Sequence, residues 1–227
     1  MIALYAGFDP REEVGFHTFT SSVIHNASEP VAIVPLHMAG LRNTYSGGER
    51  DGTNAFIYTR FLIPCLQGYR GWAIFVDGCD MVCRGDIAEL WALREDRYAV
   101  QVAQHYYRTK HARKYVGTTM EAGNEDYPRK NWSSVMLINC GHPAWHEMGP
   151  GEVAGMTGAE LHRFSWIPPQ CVGSIPFVWN WLADEYGENP QAKLLHWTAG
   201  IPAWPAYRDA PMADAWREAH GKVNFAA

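Results

Sequence analysis

The stretch Phe75-Val76-Asp77-Gly78-Cys79-Asp80 decides how this chain of 227 residues is read. An apolar run from Trp72 to Val76 has the composition of a buried strand, and it breaks off in two aspartates. Open α/β sheets bind their ligands beyond the carboxyl ends of their strands, which is where Asp77 falls. Far along the chain, His196-Trp197-Thr198-Ala199-Gly200-Ile201-Pro202-Ala203-Trp204 supplies an imidazole. Two carboxylates and one imidazole hold a divalent cation while leaving coordination positions open. That arrangement suits a substrate diphosphate better than a closed structural metal site.

Outward from that strand, short apolar runs alternate with helical patterns, the signature of an α/β fold with a mostly parallel sheet. Ile2 to Ala6 reads as the first strand. Gly7-Phe8-Asp9-Pro10 is a turn, and Arg11 to Ile24 a helix with Val14, Phe16, Phe19, Val23 and Ile24 on its apolar side. Val31 to Leu36 reads as a strand, and Thr53 to Leu66 as a helix with Thr53 or Asn54 as its N-cap. Asp86 to Leu93 follows as a short helix capped by Asp86, with strands at Tyr98 to Gln104 and Ser134 to Asn139. Residues 106 to 131 are polar and carry Arg108, Lys110, Arg113, Lys114, Arg129 and Lys130, a candidate loop over the site. The Trp- and Pro-rich last third is expected to pack on the sheet as an acceptor-side subregion.

At this length a full core can be buried, and one domain over residues 1–227 is the expectation. The net charge of −5 provides no general basic field, which argues against nucleic acid as a partner. Five cysteines, odd in number and without a CxxC pair, suggest neither a disulfide framework nor a zinc ribbon. With no secretory n- and h-region at the start and no stretch of membrane-spanning length, a cytoplasmic protein is expected.

Four segments resemble the retaining glycosyltransferases of family 8, which include glycogenin and bacterial lipopolysaccharide galactosyltransferases. They are Ile2-Ala3-Leu4-Tyr5-Ala6-Gly7-Phe8-Asp9, Tyr58-Thr59-Arg60-Phe61-Leu62-Ile63-Pro64, Phe75 to Asp80, and Ser133-Ser134-Val135-Met136-Leu137-Ile138-Asn139. The His196 to Trp204 segment is a fifth, and the five occur in the family's order. The resemblance implies a GT-A-type fold and a nucleoside-diphosphate-sugar donor, usually a UDP-sugar. It also implies Mn²⁺ or Mg²⁺, a glycan or other hydroxyl acceptor, and retention of anomeric configuration. The alternative is a non-catalytic sugar-nucleotide or glycan-binding module on the same fold.

By the same resemblance Asp77, Asp80 and His196 are the metal ligands, and Ala6, Asp9, Arg60, Gly78 and Gly200 lie on the donor side. Asn131, Ser133, Ser134 and Gln170 are candidate sugar or acceptor contacts. Several positions keep a second reading. Asp9 either caps the following helix or accepts from a uracil ring nitrogen. Arg60 either forms a structural ion pair or holds phosphate or an aspartate. Trp166, Trp179, Trp181, Trp197 and Trp204 either fill the core or stack on sugars. The chain also departs from the family. Its aspartates are one residue further apart than Asp-x-Asp, with Gly78 able to take unusual backbone angles. Trp132-Ser133-Ser134 replaces Asn-Ala-Gly, and Pro202 stands where the family has a diphosphate-reaching lysine. No residue is assigned as a catalytic nucleophile.

Overall fold

The computed structural model describes residues 1–45, 47, 54 and 56–223. The chain opens with β1 (Ile2–Gly7), α1 (Glu13–Asn26) and β2 (Val31–Leu36), followed by α2 (Ile63–Leu66) and β3 (Trp72–Val76). Next come β4 (Met81–Cys83), α3 (Ile87–Ala92), β5 (Val100–Val102) and a two-strand hairpin, β6 (Arg113–Lys114) with β7 (Ala122–Gly123). Then follow β8 (Val135–Asn139), α4 (Pro150–Gly155), α5 (Gly158–His162) and β9 (Val172–Ser174). The chain closes with β10 (Trp181–Leu182), α6 (Ala183–Tyr186), β11 (Leu194–His196) and α7 (Ala213–Val223).

The central sheet runs β2-β1-β3-β8-β5-β9. The β1–β2, β1–β3 and β5–β9 pairs are parallel, and β8 is antiparallel to both of its neighbours. The sheet is thus mostly parallel. β3 lies between β1 and β8, with Ala73, Ile74, Phe75 and Val76 all fully buried. Burying each such side chain contributes about 1.5–3 kcal/mol for the larger ones, which is why this run forms a central strand.

A second sheet runs β10-β11-β4, and its strand β4 starts at Met81, directly after Asp80. β4 and β11 are antiparallel, with Met81 opposite His196, and the Trp197 N–H donates to the Asp80 carbonyl at 2.9 Å. This register carries the late histidine to the aspartates across more than a hundred residues of chain. Val82, Leu195, Trp197, Ile201 and Trp216 form a smaller core on this side.

Several sequence expectations are corrected. The strands Val31–Leu36 and Trp72–Val76 match their expected bounds, and Asp86 caps α3 by accepting from the Ala88 N–H at 3.0 Å. The strand expected over Tyr98 to Gln104 narrows to Val100–Val102. The helix expected from Thr53 starts at a residue outside the described ones. What is described is a 3-10 turn, Thr59–Leu62, leading into the four-residue α2, while the Asn54 side chain serves as a donor to Glu12.

On α1, Val14 and Ile24 are exposed, contrary to expectation. The helix buries Gly15, Thr18 and Ser22 beside Phe16, Phe19 and Val23, because it packs against β4 and α7 through small residues. The Ser22 hydroxyl accepts from the Cys83 N–H at 2.9 Å, and a Cβ on Gly15 would sit 1.8 Å from the Cys79 carbonyl oxygen. Only glycine allows the helix that close to the turn joining Asp77 to Asp80.

Candidate active site

The turn after β3 is built by backbone geometry before any side chain acts. Gly78 has φ +79°, in the left-handed region, and the Cys79 N–H donates back to the Asp77 carbonyl at 2.9 Å. The turn folds the longer Asp-Gly-Cys-Asp spacing back on itself. Ligand atoms of Asp77, Asp80 and His196 consequently all lie within 4.8 Å of one another. The three residues that the sequence singled out as a cation trio are therefore brought together.

Each is held by a partner. Asp77 Oδ1 lies 2.6 Å from Arg60 Nη1, and the same Nη1 donates to the Ser133 carbonyl at 2.9 Å. His196 Nε2 is 3.2 Å from Asp80 Oδ2, and Nδ1 is 3.0 Å from Asn180 Oδ1. The Asn180 amide nitrogen already donates to the Asn131 carbonyl at 3.1 Å and to Ser134 Oγ at 2.9 Å. Its oxygen is thus an acceptor, so His196 carries a proton on Nδ1 and turns Nε2 toward the aspartates.

The electrostatics are those of crowded, buried acids. Burial pushes Asp77 up to about 6, held down by the Arg60 guanidinium and raised further by Asp80. For His196 burial works against the charged ring. The charge and hydrogen bond of Asp80, with Asp77 and Asp184 behind them, outweigh burial and leave its pKa above the ordinary value. Glu12 is also fully buried, and burial followed by the charges of Asp80, Asp9 and Asp77 holds it well above the usual carboxylate range.

The donor set fits a hard divalent cation. Asp80 Oδ1 is buried without a hydrogen-bond partner among the described residues, which costs free energy unless something positive meets it. Two carboxylates and one imidazole are an Mn²⁺- or Mg²⁺-type set rather than a thiolate one.

Around the trio opens a cavity of about 780 Å³, lined by Arg60, Asn131, Ser133 and Ser134 among others. All four are among the site residues expected from the sequence. The polar loop does border the site, through Lys114, Tyr115 and Tyr127 together with the β6–β7 hairpin. It is fastened rather than loose. Glu185 accepts from the Lys110 N–H at 2.9 Å, and the Lys110 ammonium donates to the Glu185 carbonyl at 2.5 Å. Of the six loop cations only Lys114 lines the cavity, and burial lowers its pKa.

Other expected positions lie elsewhere. Asp9 caps the 3-10 turn before α1 by accepting from the Arg11 N–H at 3.0 Å and pairs with the Arg11 guanidinium at 2.6 Å. Ala6 is buried in β1 opposite Val76, and Gly200 packs under the Tyr207 ring. Gln170 is exposed on the turn entering β9, at the amino end of that strand and away from the carboxyl ends where Asp77 sits. The chain path separates it from the cavity. Among the described residues no tryptophan lines the cavity, and Trp179 and Trp197 are core residues.

Asn180, Glu12 and His162 were missed. Asn180 lies in an irregular Trp-rich segment whose only signal was polarity between two tryptophans. Glu12 resembled an ordinary first-turn helix acid.

No family model matches the chain. Protein CDI of Arabidopsis thaliana is 40% identical over 233 residues, covering 97% of this chain and 88% of that protein. Among solved structures, the glycosyltransferase GlyE of Streptococcus pneumoniae superposes with a TM-score of 0.60 at 13% identity, over 99% of this chain and 63% of its own. An active-site mutant of LgtC gives 0.58 at 11% identity, over 100% of this chain and 98% of its own. The bifunctional glycosyltransferase WbbM gives 0.56 at 15% identity, over 96% of this chain and 49% of its own. The chain thus spans about half of WbbM, under two thirds of GlyE and the whole of the LgtC architecture. At these identities the likeness is one of fold, and the fold is the GT-A type.

Proposed function

Because the chain belongs to the family of Protein CDI and carries a largely buried Asp-Asp-His trio at the strand end of a GT-A fold, we propose that it is a metal-dependent glycosyltransferase. The donor is a nucleoside-diphosphate sugar, in our reading a UDP-sugar, and the acceptor a glycan or other hydroxyl compound. Transfer is proposed to proceed with retention. The observation that carries this reading is the convergence of Asp77, Asp80 and His196 within 4.8 Å, beside a cavity large enough for a sugar nucleotide.

When the bond from anomeric carbon to phosphate breaks, its electron pair goes to the departing diphosphate. A divalent cation held by the trio supplies positive charge where that negative charge grows. The protein's own part is positional. Arg60 fixes Asp77 and ties it to the Ser133 carbonyl, and Asn180 orients His196 through Nδ1. Lys114 adds a cation to the same cavity, a partial answer to Pro202 in the late segment.

The test is hydrolysis of a panel of UDP- and GDP-sugars with Mn²⁺, comparing wild type with Asp80→Ala. Metal-dependent release of one nucleotide, lost in the variant, supports the reading. Tight glycan binding without any turnover favours the non-catalytic module.

A further inference from the structure

The lysine and arginine side chains lining the cavity are Arg60, Lys114 and Arg163 among the described residues, and they are not equivalent. Arg60 is engaged by Asp77 and by the Ile57 and Ser133 carbonyls. Arg163 is exposed at the C-terminal end of α5. Lys114, closing β6, is half-buried, and burial works against its charge while Asp80 first, and then Asp77, favour it. Its ammonium therefore shares the electrostatic surroundings of the cation trio.

Its neighbour sets its place. Tyr115 has φ +57°, in the left-handed region that a bulky aromatic residue seldom enters. The chain turns sharply there, and the Lys114 ammonium lies 5.3 Å from the centre of the Tyr115 ring. The late segment holds this conformation. The Tyr115 N–H donates to the Ala199 carbonyl at 2.7 Å, and its ring, 3% exposed, meets the Trp204 edge with centroids 5.6 Å apart. The following N–H, of Val116, donates to the Tyr207 hydroxyl at 2.9 Å, and the Tyr115 hydroxyl donates to Asn54 Oδ1 at 3.2 Å. Backbone strain of this kind persists only where the surroundings over-determine it.

The segment that starts at His196 thus offers no lysine at Pro202 and instead clamps the loop that carries Lys114. Charge gives that loop a task. Two carboxylates, the Arg60 guanidinium and a divalent cation sum to a single positive charge, short of what a sugar-linked diphosphate carries, and the shortfall grows as the leaving group departs. We infer that the Lys114 ammonium binds a phosphate oxygen of the donor diphosphate beside the cation trio, and that Tyr115 is the positioning residue that sets it there. This rests on the transferase reading above and moves the diphosphate-binding lysine from the late segment to the loop.

Calorimetry tests it through two effects of opposite sign. Mn²⁺ alone, and UDP or GDP in Mn²⁺, are titrated into wild type, Lys114→Met, Lys114→Arg, Tyr115→Ala and the double variant Lys114→Met with Tyr115→Ala, with thermal unfolding recorded for each. Loss of a hydrogen bond from a charged group predicts about tenfold or more weaker nucleotide binding to Lys114→Met. Mn²⁺ alone binds that variant as tightly as wild type or more tightly, because a cation has been removed from beside its ligands. Lys114→Arg keeps the charge and recovers most of the loss. Tyr115→Ala weakens nucleotide binding, and the double variant is no weaker than Lys114→Met, since the ring acts through the lysine. Unchanged or tighter nucleotide binding to Lys114→Met, or equal weakening of Mn²⁺ and nucleotide, overturns the inference alone. Additive losses from the two changes overturn the positioning role of Tyr115. A wild type that binds neither nucleotide in Mn²⁺ overturns the transferase reading and this inference with it.

Discussion

The Nδ1–H of His196 donates to Asn180 Oδ1 at 3.0 Å, and this single bond decides which nitrogen faces Asp80. Asn180 is fully buried and is itself fixed by the Asn131 carbonyl and the Ser134 hydroxyl. The imidazole is therefore preset, with Nε2 toward the carboxylates and no reorientation needed on cation binding.

Asn180→Ala removes that orientation without touching a ligand atom. Mn²⁺ affinity is expected to fall by about 10- to 100-fold, the usual effect of losing a partner behind a metal-ligating histidine. Titration of Mn²⁺ by electron paramagnetic resonance measures it, and unchanged affinity contradicts the assignment.

Arg60→Met leaves the Asp77 carboxylate without its 2.6 Å partner in a site where the arginine side chain is only 5% exposed. Stability is expected to drop by about 3–5 kcal/mol in urea unfolding. Adding Asp77→Asn removes the stranded charge, so the double variant recovers part of the loss. Simple additivity of the two changes speaks against a coupled pair.

Gly15→Ala forces a methyl group to within 1.8 Å of the Cys79 carbonyl oxygen, between the two aspartates. The expected cost is about 3 kcal/mol, together with weaker Mn²⁺ binding as the turn shifts. Gly221→Ala, where the added Cβ meets nothing, is the control and should stabilise α7 by up to about 1 kcal/mol.

His105 gives a pH signature. Its ring is 3% exposed, stacks on Phe177 and lies 2.9 Å from the Tyr186 hydroxyl, and burial followed by the charge of His196 takes its pKa down to about 3. Unfolded, the same ring titrates near 6.5, so below that pH the unfolded chain binds the extra proton. The folded state then loses about 1.4 kcal/mol per pH unit from this residue as pH falls from 6.5 toward 3. His105→Phe lacks the titration. Its stability deficit relative to wild type should shrink by about 2 kcal/mol between pH 6.5 and pH 5, read from urea midpoints at each pH. A deficit independent of pH contradicts a buried neutral ring.

The sequence made the candidate trio legible because a buried strand ending in acids is a strong local pattern, as Trp72 to Asp80 illustrates. The short strands were hidden. Met81–Cys83, Trp181–Leu182 and Leu194–His196 span two or three residues each, too few for a period of two to register. Yet β4 and β11 are what bring His196 to Asp80. The helix expected from Thr53 failed for a different reason: Thr59 through Pro64 are all buried, so their apolar run reflects burial on every side and not one helical face. On α1 the close-packed face is made of Gly15, Thr18 and Ser22, which no hydrophobic pattern marks. Ser133 and His162 meet only through the fold, 29 positions apart in sequence.

The central claim is that Asp77, Asp80 and His196 bind one divalent cation that carries the donor diphosphate. Anomalous diffraction at the manganese edge from a crystal grown with Mn²⁺ and UDP tests it most directly. The account predicts a single strong peak bonded to carboxylate oxygens of Asp77 and Asp80, to Nε2 of His196 and to phosphate oxygens of UDP. A structure with UDP bound and no manganese at these three residues would contradict it.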